Sequence, residues 1–116
     1  MDTSILNSVK QDVGIMPDYD AFDGQIIRYC NLAFATLHQL GYGPKEGFEI
    51  TSDKEDWDEY ISSKRFNFVK NYVSMKVQYL FDPPTSSIAS KALEEELKEL
   101  EFRIQSEVET YGEEDT

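Results

Sequence analysis

His38 is the only histidine and Cys30 the only cysteine, so nucleophilic or metal chemistry must pass through one of them or through carboxylates. A Ser-His-Asp or Cys-His device needs His38 within hydrogen-bond reach of its nucleophile. Cys30 and His38 stand eight residues apart on what reads as one helix, about two turns, and do not meet. They read as a small buried thiol and a histidine at a helix boundary. A single cysteine also excludes an internal disulfide.

Two acidic stretches are candidate sites. DYDAFDGQII, from Asp18, resembles the start of a calcium loop, which needs oxygen ligands at its first, third and fifth positions, then glycine, and a closing acid. Counted from Asp18, Phe22 falls fifth, Asp23 takes the glycine position and Tyr29 the closing position, so the register fails. Starting one residue later fails too, with Tyr19 first and Cys30 last. The acids fit better at a helix N-terminus, facing the positive end of the dipole. Asp53, Glu55, Asp56, Asp58 and Glu59 surround Trp57. Carboxylate pairs beside an aromatic ring can hydrolyse glycosides, but an acidic run on a short helix is more simply a solvated face with the tryptophan turned inward. Neither a phosphate-binding glycine loop nor a CxxC or HExxH sequence occurs. No catalytic residue, metal ligand or cofactor site is assigned.

The elements that carry these residues read as helices. Thr3 or Asp2 caps a first short helix with Ile5, Leu6, Val9 and Val13 on one face, ended by Gly14 and Pro17. Asp20 precedes a second helix, roughly 21–40, whose stripe is Ile26, Cys30, Ala33, Leu37 and Leu40. Gly41 and Gly43-Pro44 stop it. Residues 41–52 read as a loop with a short extended piece at Phe48-Glu49-Ile50. Ser52 with Glu55 has the spacing of a capping box and would start a short helix through Trp57, Tyr60 and Ile61. A fourth helix, about 66–81, is apolar around most of its circumference and should lie at the centre. Asp82-Pro83-Pro84 stops it.

Ser86 or Ser87 caps a long last helix, about 87–111. Leu93, Leu97, Leu100, Ile104, Val108 and Tyr111 fall within a sector of roughly 80° on a helical wheel, while Phe102 falls about 180° away with Ile88 about 40° from it. The stripe has three readings: packing on its own core against helices two and four, a coiled coil, or docking on another subunit. At about two and a half heptads it is too short to argue for a coiled coil by itself. Phe102 is either an ordinary exposed phenylalanine or an anchor for a neighbour. Gly112 is expected to end the helix, leaving residues 1–112 as one domain and 113–116 as a disordered acidic tail. The fold class is therefore all-α: a single-domain bundle of about four to five helices with a long C-terminal helix.

The chain has 116 residues, 40% of them hydrophobic and 13% aromatic, which suits one modest core. Its 23 acids against 11 bases give a net charge of −12, which repels phosphates and argues against general nucleic-acid binding. No apolar run approaches the roughly 20 residues needed to span a bilayer, and the N-terminus lacks a secretory signal pattern. These features favour a soluble protein of a reducing cytoplasm.

The run from Ile26 through NLAFATLHQLGYGPKEGFEI, the WDEYI segment at Trp57, and VKNYVSMKVQYLFDPPTSS before a long acidic helix resemble the small head–tail connector (adaptor) proteins of long-tailed bacteriophages. The shared order is a helix ending in QLGxGP, then GF, then a tryptophan-acid segment, then YxxxKVxxLFDPP, across roughly residues 1–105. The resemblance implies a non-enzymatic helical subunit without a cofactor. It would form a ring, typically a dodecamer in the virion, beneath the portal protein. The ring would extend the DNA channel and meet the next neck or head-completion protein, with DNA passing through without specific binding and no membrane involved. It implies a life in the host cytoplasm during assembly and then in the virion neck. The candidate subunit or portal interface is Phe102, Ile88, Arg103 and Tyr111. The competing functions are an acidic inhibitor that mimics DNA, or another helical interaction module.

Overall fold

Glycine and proline divide the chain where the sequence suggests. The computed structural model describes residues 3–111, with helices α1 (Ile5–Asp12), α2 (Asp23–Gln39), α3 (Trp57–Tyr60), α4 (Val69–Phe81) and α5 (Ser87–Tyr111). A single 3-10 turn, Lys64–Phe66, precedes α4. Helix α4 is the hub, packing against α1, α2 and α5. Its Val69, Tyr72, Val73 and Val77 are wholly buried, as its nearly all-round apolar surface requires.

Several boundaries differ from the sequence reading, each for a local reason. Ser4, rather than Thr3, caps α1, its hydroxyl accepting from Asn7 N–H at 3.2 Å. Thr3 instead accepts from Trp57 N–H through its carbonyl at 3.1 Å. Helix α2 starts at Asp23 rather than 21, because two turns, Met16 to Tyr19 and Asp20 to Asp23, occupy the preceding residues. The loop piece at 48–50 pairs with no strand among the described residues, as a loop should. Ile50 is held by the Asn31 side chain, which accepts from its N–H at 2.8 Å and donates to its carbonyl at 3.1 Å. The side chain thus satisfies the buried backbone groups that a neighbouring strand would otherwise take.

The capping box is displaced as well. Glu55 does not begin a helix with Ser52. Its carboxylate closes a turn, accepting from Thr51 N–H at 2.9 Å and Ser52 N–H at 3.2 Å. Partial burial works against its charge, but these bonds win and hold the Glu55 carboxyl below its usual range. Helix α3 starts four residues later, where the Glu59 carboxylate reaches back to Asp56 N–H at 2.7 Å. At the other end of the chain, Ser86 caps α5, accepting from Ala89 N–H at 3.3 Å. Gly112, the tail 113–116 and the alternative cap Asp2 lie outside the described residues.

Helix α5 lies along α4. Leu97 and Ile104 are buried, and Leu93, Leu100 and Val108 pack against the core from its edge. Two phenols staple the pair: Tyr72 donates to Glu101 at 2.7 Å, and Tyr79 donates to Glu94. Just past the end of α2, Gly41 has φ +93° and a Cβ placed on it would stand 3.1 Å from Val108 of α5. Glycine is required there by both conformation and space.

Beneath α2 sits an aromatic cluster. Phe34 meets Tyr60 at 4.7 Å and Phe48 at 5.0 Å between ring centres, and Tyr42 meets Phe66 at 4.8 Å. Burial, with Tyr42 and Tyr72 nearby, pushes the Tyr60 hydroxyl well above the phenol range. Burial and the Glu101 carboxylate do the same to Tyr72. Burial pushes the Cys30 thiol up to about 12. All three groups hold their protons more tightly when folded, so their contribution is intact below the unfolded pKa values and lost above them. Stability is expected to be flat to about pH 9, then to fall by roughly 1 kcal/mol per pH unit for each group as first Cys30 and then the tyrosines ionise in the unfolded chain. Urea unfolding at about pH 8 and 11 tests this, and equal midpoints would contradict the burial.

Candidate interaction surfaces

The residues with reactive side chains do not converge. Cys30 is buried in the core, while His38 is exposed, its Nε2 lying 2.9 Å from the Lys45 carbonyl oxygen. Asp53, Asp58 and Glu59 face solvent while Trp57 turns inward, its indole N–H donating to Ser8 Oγ at 2.7 Å. Among the described residues no three of His, Cys, Asp or Glu gather as metal ligands, and no helix is long and apolar enough to cross a membrane.

Of the residues near Asp18, Asp23 has a role that spacing did not show. The Lys10 side chain is fully buried, with Nζ 2.6 Å from Asp23 Oδ1 and donating to the Pro17 carbonyl at 2.9 Å. A lysine is almost never fully buried unless paired, and this pair ties α1 to the start of α2 across the connecting turns. The only sequence signal was the position of Lys10 one residue after Val9 on the buried side of α1.

The outer face of α5 is placed as the wheel predicts. Phe102 is 71% exposed and Ile88 83% exposed. They lie on the same side of α5 but 14 residues, about 21 Å, apart, so they do not form one patch. Arg103 and Tyr111 are engaged inside the molecule: the Arg103 guanidinium lies 5.0 Å from the Phe68 ring centre, and Arg65 lies 3.8 Å from that of Tyr111. These stacked contacts lace the end of α5 to the segment before α4.

A second apolar surface was not anticipated. The α1–α2 connection exposes Met16, Tyr19 and Phe22, with Tyr19 against Phe22 at 5.8 Å and Phe22 edge-on to Phe81 at 5.3 Å. Gly14, Ile15 and Asp18 complete a shallow depression there. The signal is the alternation of aromatics and acids in MPDYDAFD, whose acids fit a helix N-terminus and whose aromatics have no helical period.

A family model described as "Phage connector protein" matches residues 5–111. The match covers every helix described above, and the chain belongs to the phage connector protein family. Comparison with curated proteins and with solved structures gave no significant match.

Proposed function

We propose that this connector is a structural, non-enzymatic subunit that forms a ring beneath the portal, extends the DNA channel and joins head to tail. The family match over nearly the whole chain carries the reading. The cluster of exposed Met16, Tyr19 and Phe22 on the α1–α2 connection supports it, because contiguous apolar surface marks interfaces. On this reading the subunit is made in the host cytoplasm and ends in the virion neck as a dodecamer, with portal on one side and the next neck protein on the other. A net charge of −12 suits a conduit through which DNA slides without being held.

Sedimentation of the purified chain, alone and with portal, tests the proposal. Weak self-association alone and a defined ring on the portal are expected. A chain that stays monomeric under both conditions, or that retains a host DNA-binding enzyme and not portal, overturns it.

Phe102→Ser is expected to leave thermal stability nearly unchanged, since the side chain is exposed, and to weaken ring or portal binding. Ile104→Ser, at a wholly buried position, should cost a few kcal/mol. Leu100→Ser, at the half-buried edge, should fall between them. Normal assembly by Phe102→Ser would remove it from the interface.

A further inference from the structure

The charge of this chain is segregated along it. From Tyr60 to Phe81 there is no acid, while Lys64, Arg65, Lys70 and Lys76 fall within that stretch. All 23 acids lie elsewhere. The structure adds Arg103 to this stretch by laying it over Phe68, and sets Arg65 over Tyr111. Lys64, Arg65 and Arg103 are exposed, so the N-terminal end of α4 carries a cationic face, and the exposed Phe102 is the sequence neighbour of Arg103 on α5. The opposite end of α4 carries the reverse. There Phe81 meets Phe22, and the exposed Met16, Tyr19 and Phe22 are flanked by the exposed Asp18 and Asp20. The 13 residues of α4 separate the two faces by about 20 Å, so they do not overlap.

A closed ring needs a heterologous contact, in which one patch of each subunit meets a different patch of the next. We infer that the acidic-aromatic α1–α2 connection of one copy docks on the cationic face at the start of α4 of a second copy. This inference rests on the ring reading. It identifies the two faces by their complementary charge and by their separation. Exposed apolar side chains on both, Met16, Tyr19 and Phe22 against Phe102, supply area that charge alone does not. Two copies of a chain this acidic repel one another in most orientations, and this orientation brings opposite signs together.

Charge reversal tests it on the full chain by sedimentation, alone and with portal. Asp18→Lys with Asp20→Lys is expected to weaken association at least tenfold at the wild-type melting temperature. Lys64→Glu with Arg65→Glu should weaken it as much with a lowered melting temperature, since Arg65 leaves Tyr111, while Lys64→Glu alone keeps that contact and should weaken association without moving the melting temperature. Combining all four changes in one chain restores the complement and should recover association. Mixing the two half-reversed chains should also recover association, now as alternating copies, because the intact acidic face of one meets the intact cationic face of the other and the two reversed faces complement each other as well. The competing occupant of the cationic face is the acidic sequence after Tyr111. A chain ending at Tyr111 should therefore associate as tightly as the full chain or more so, and loss of association on truncation assigns that face to the terminal acids and overturns the inference. If wild type assembles and the half-reversed chains assemble equally well, the faces are wrong and the ring stands. If wild type never leaves the monomer, even with portal, the ring reading fails and the inference falls with it.

Discussion

Asp23→Ala is expected to destabilise the fold by about 2 to 3 kcal/mol, far more than its partly exposed position suggests. The reason is its partner. Lys10 has no exposed surface, and removing the carboxylate 2.6 Å away leaves an ammonium in the core with the Pro17 carbonyl. Breaking a buried pair from one side typically costs about 3 to 5 kcal/mol, and the 32% exposure of the Asp23 side chain lets water approach and lowers the figure. Lys10→Met should cost less, about 1 to 2 kcal/mol, because it removes the buried ammonium and keeps the volume, and although Asp23 Oδ1 is buried the rest of the 32% exposed side chain lies open to water. Urea midpoints at unchanged slope measure both. Equal losses from the two changes would contradict the asymmetry. Because the pair closes the α1–α2 connection, Asp23→Ala should also loosen Met16 and Tyr19 and weaken self-association beyond its effect on stability.

Trp57→Ala should cost on the order of 3 to 5 kcal/mol. Trp57 is 4% exposed, lies edge-on to Phe34 and bonds to Ser8 on α1, so its loss opens a cavity between α1 and α2. Trp57→Phe retains most of the packing and forfeits one hydrogen bond, about 1 kcal/mol. Asp58→Asn, on the solvent side of the same short helix, should change neither stability nor assembly. Loss of assembly by Asp58→Asn with the fold intact would make the acidic run a functional site after all. Thermal melts and sedimentation of the three variants separate these outcomes.

The helices were readable because burial repeats with the helical period. Leu97 and Ile104 in the core, with Phe102 opposite in solvent, needed nothing beyond 100° per residue. The central place of α4 followed from its apolar circumference. What stayed hidden depends on contacts distant in sequence. Asp-x-x-Glu at Asp56 and Ser-x-x-Glu at Ser52 are equally plausible helix starts. The choice is made by Ile5 N–H donating to the Glu55 carbonyl and Trp57 N–H to the Thr3 carbonyl, which hold residues 55–57 against the N-terminus. The burial of Lys10 likewise needed Asp23 and Pro17 brought to its end of α1. The residues before Val69 were read as helix because Phe66 and Phe68 continue the apolar pattern. A Ser63-capped turn instead carries Phe66 against Tyr42.

Among the exposed apolar residues, the periodic pattern found Phe102 and Ile88 by exclusion from the stripe. It missed Met16, Tyr19 and Phe22 because residues in turns have no period to violate. It also could not show that Arg103 and Tyr111 are held in stacked contacts within the molecule, since their partners, Phe68 and Arg65, lie on another element.

The buried Cys30 gives this chain a built-in clock. A thiol reagent must wait for the core to open, and the raised pKa keeps the sulfur protonated until it does. Its labelling rate therefore times the opening of the helix bundle, subunit by subunit, with no probe added. If copies associate, slower labelling at high concentration than in the dilute chain would show how far neighbours hold one another closed, while a cysteine placed on the surface would react at once against a silent background.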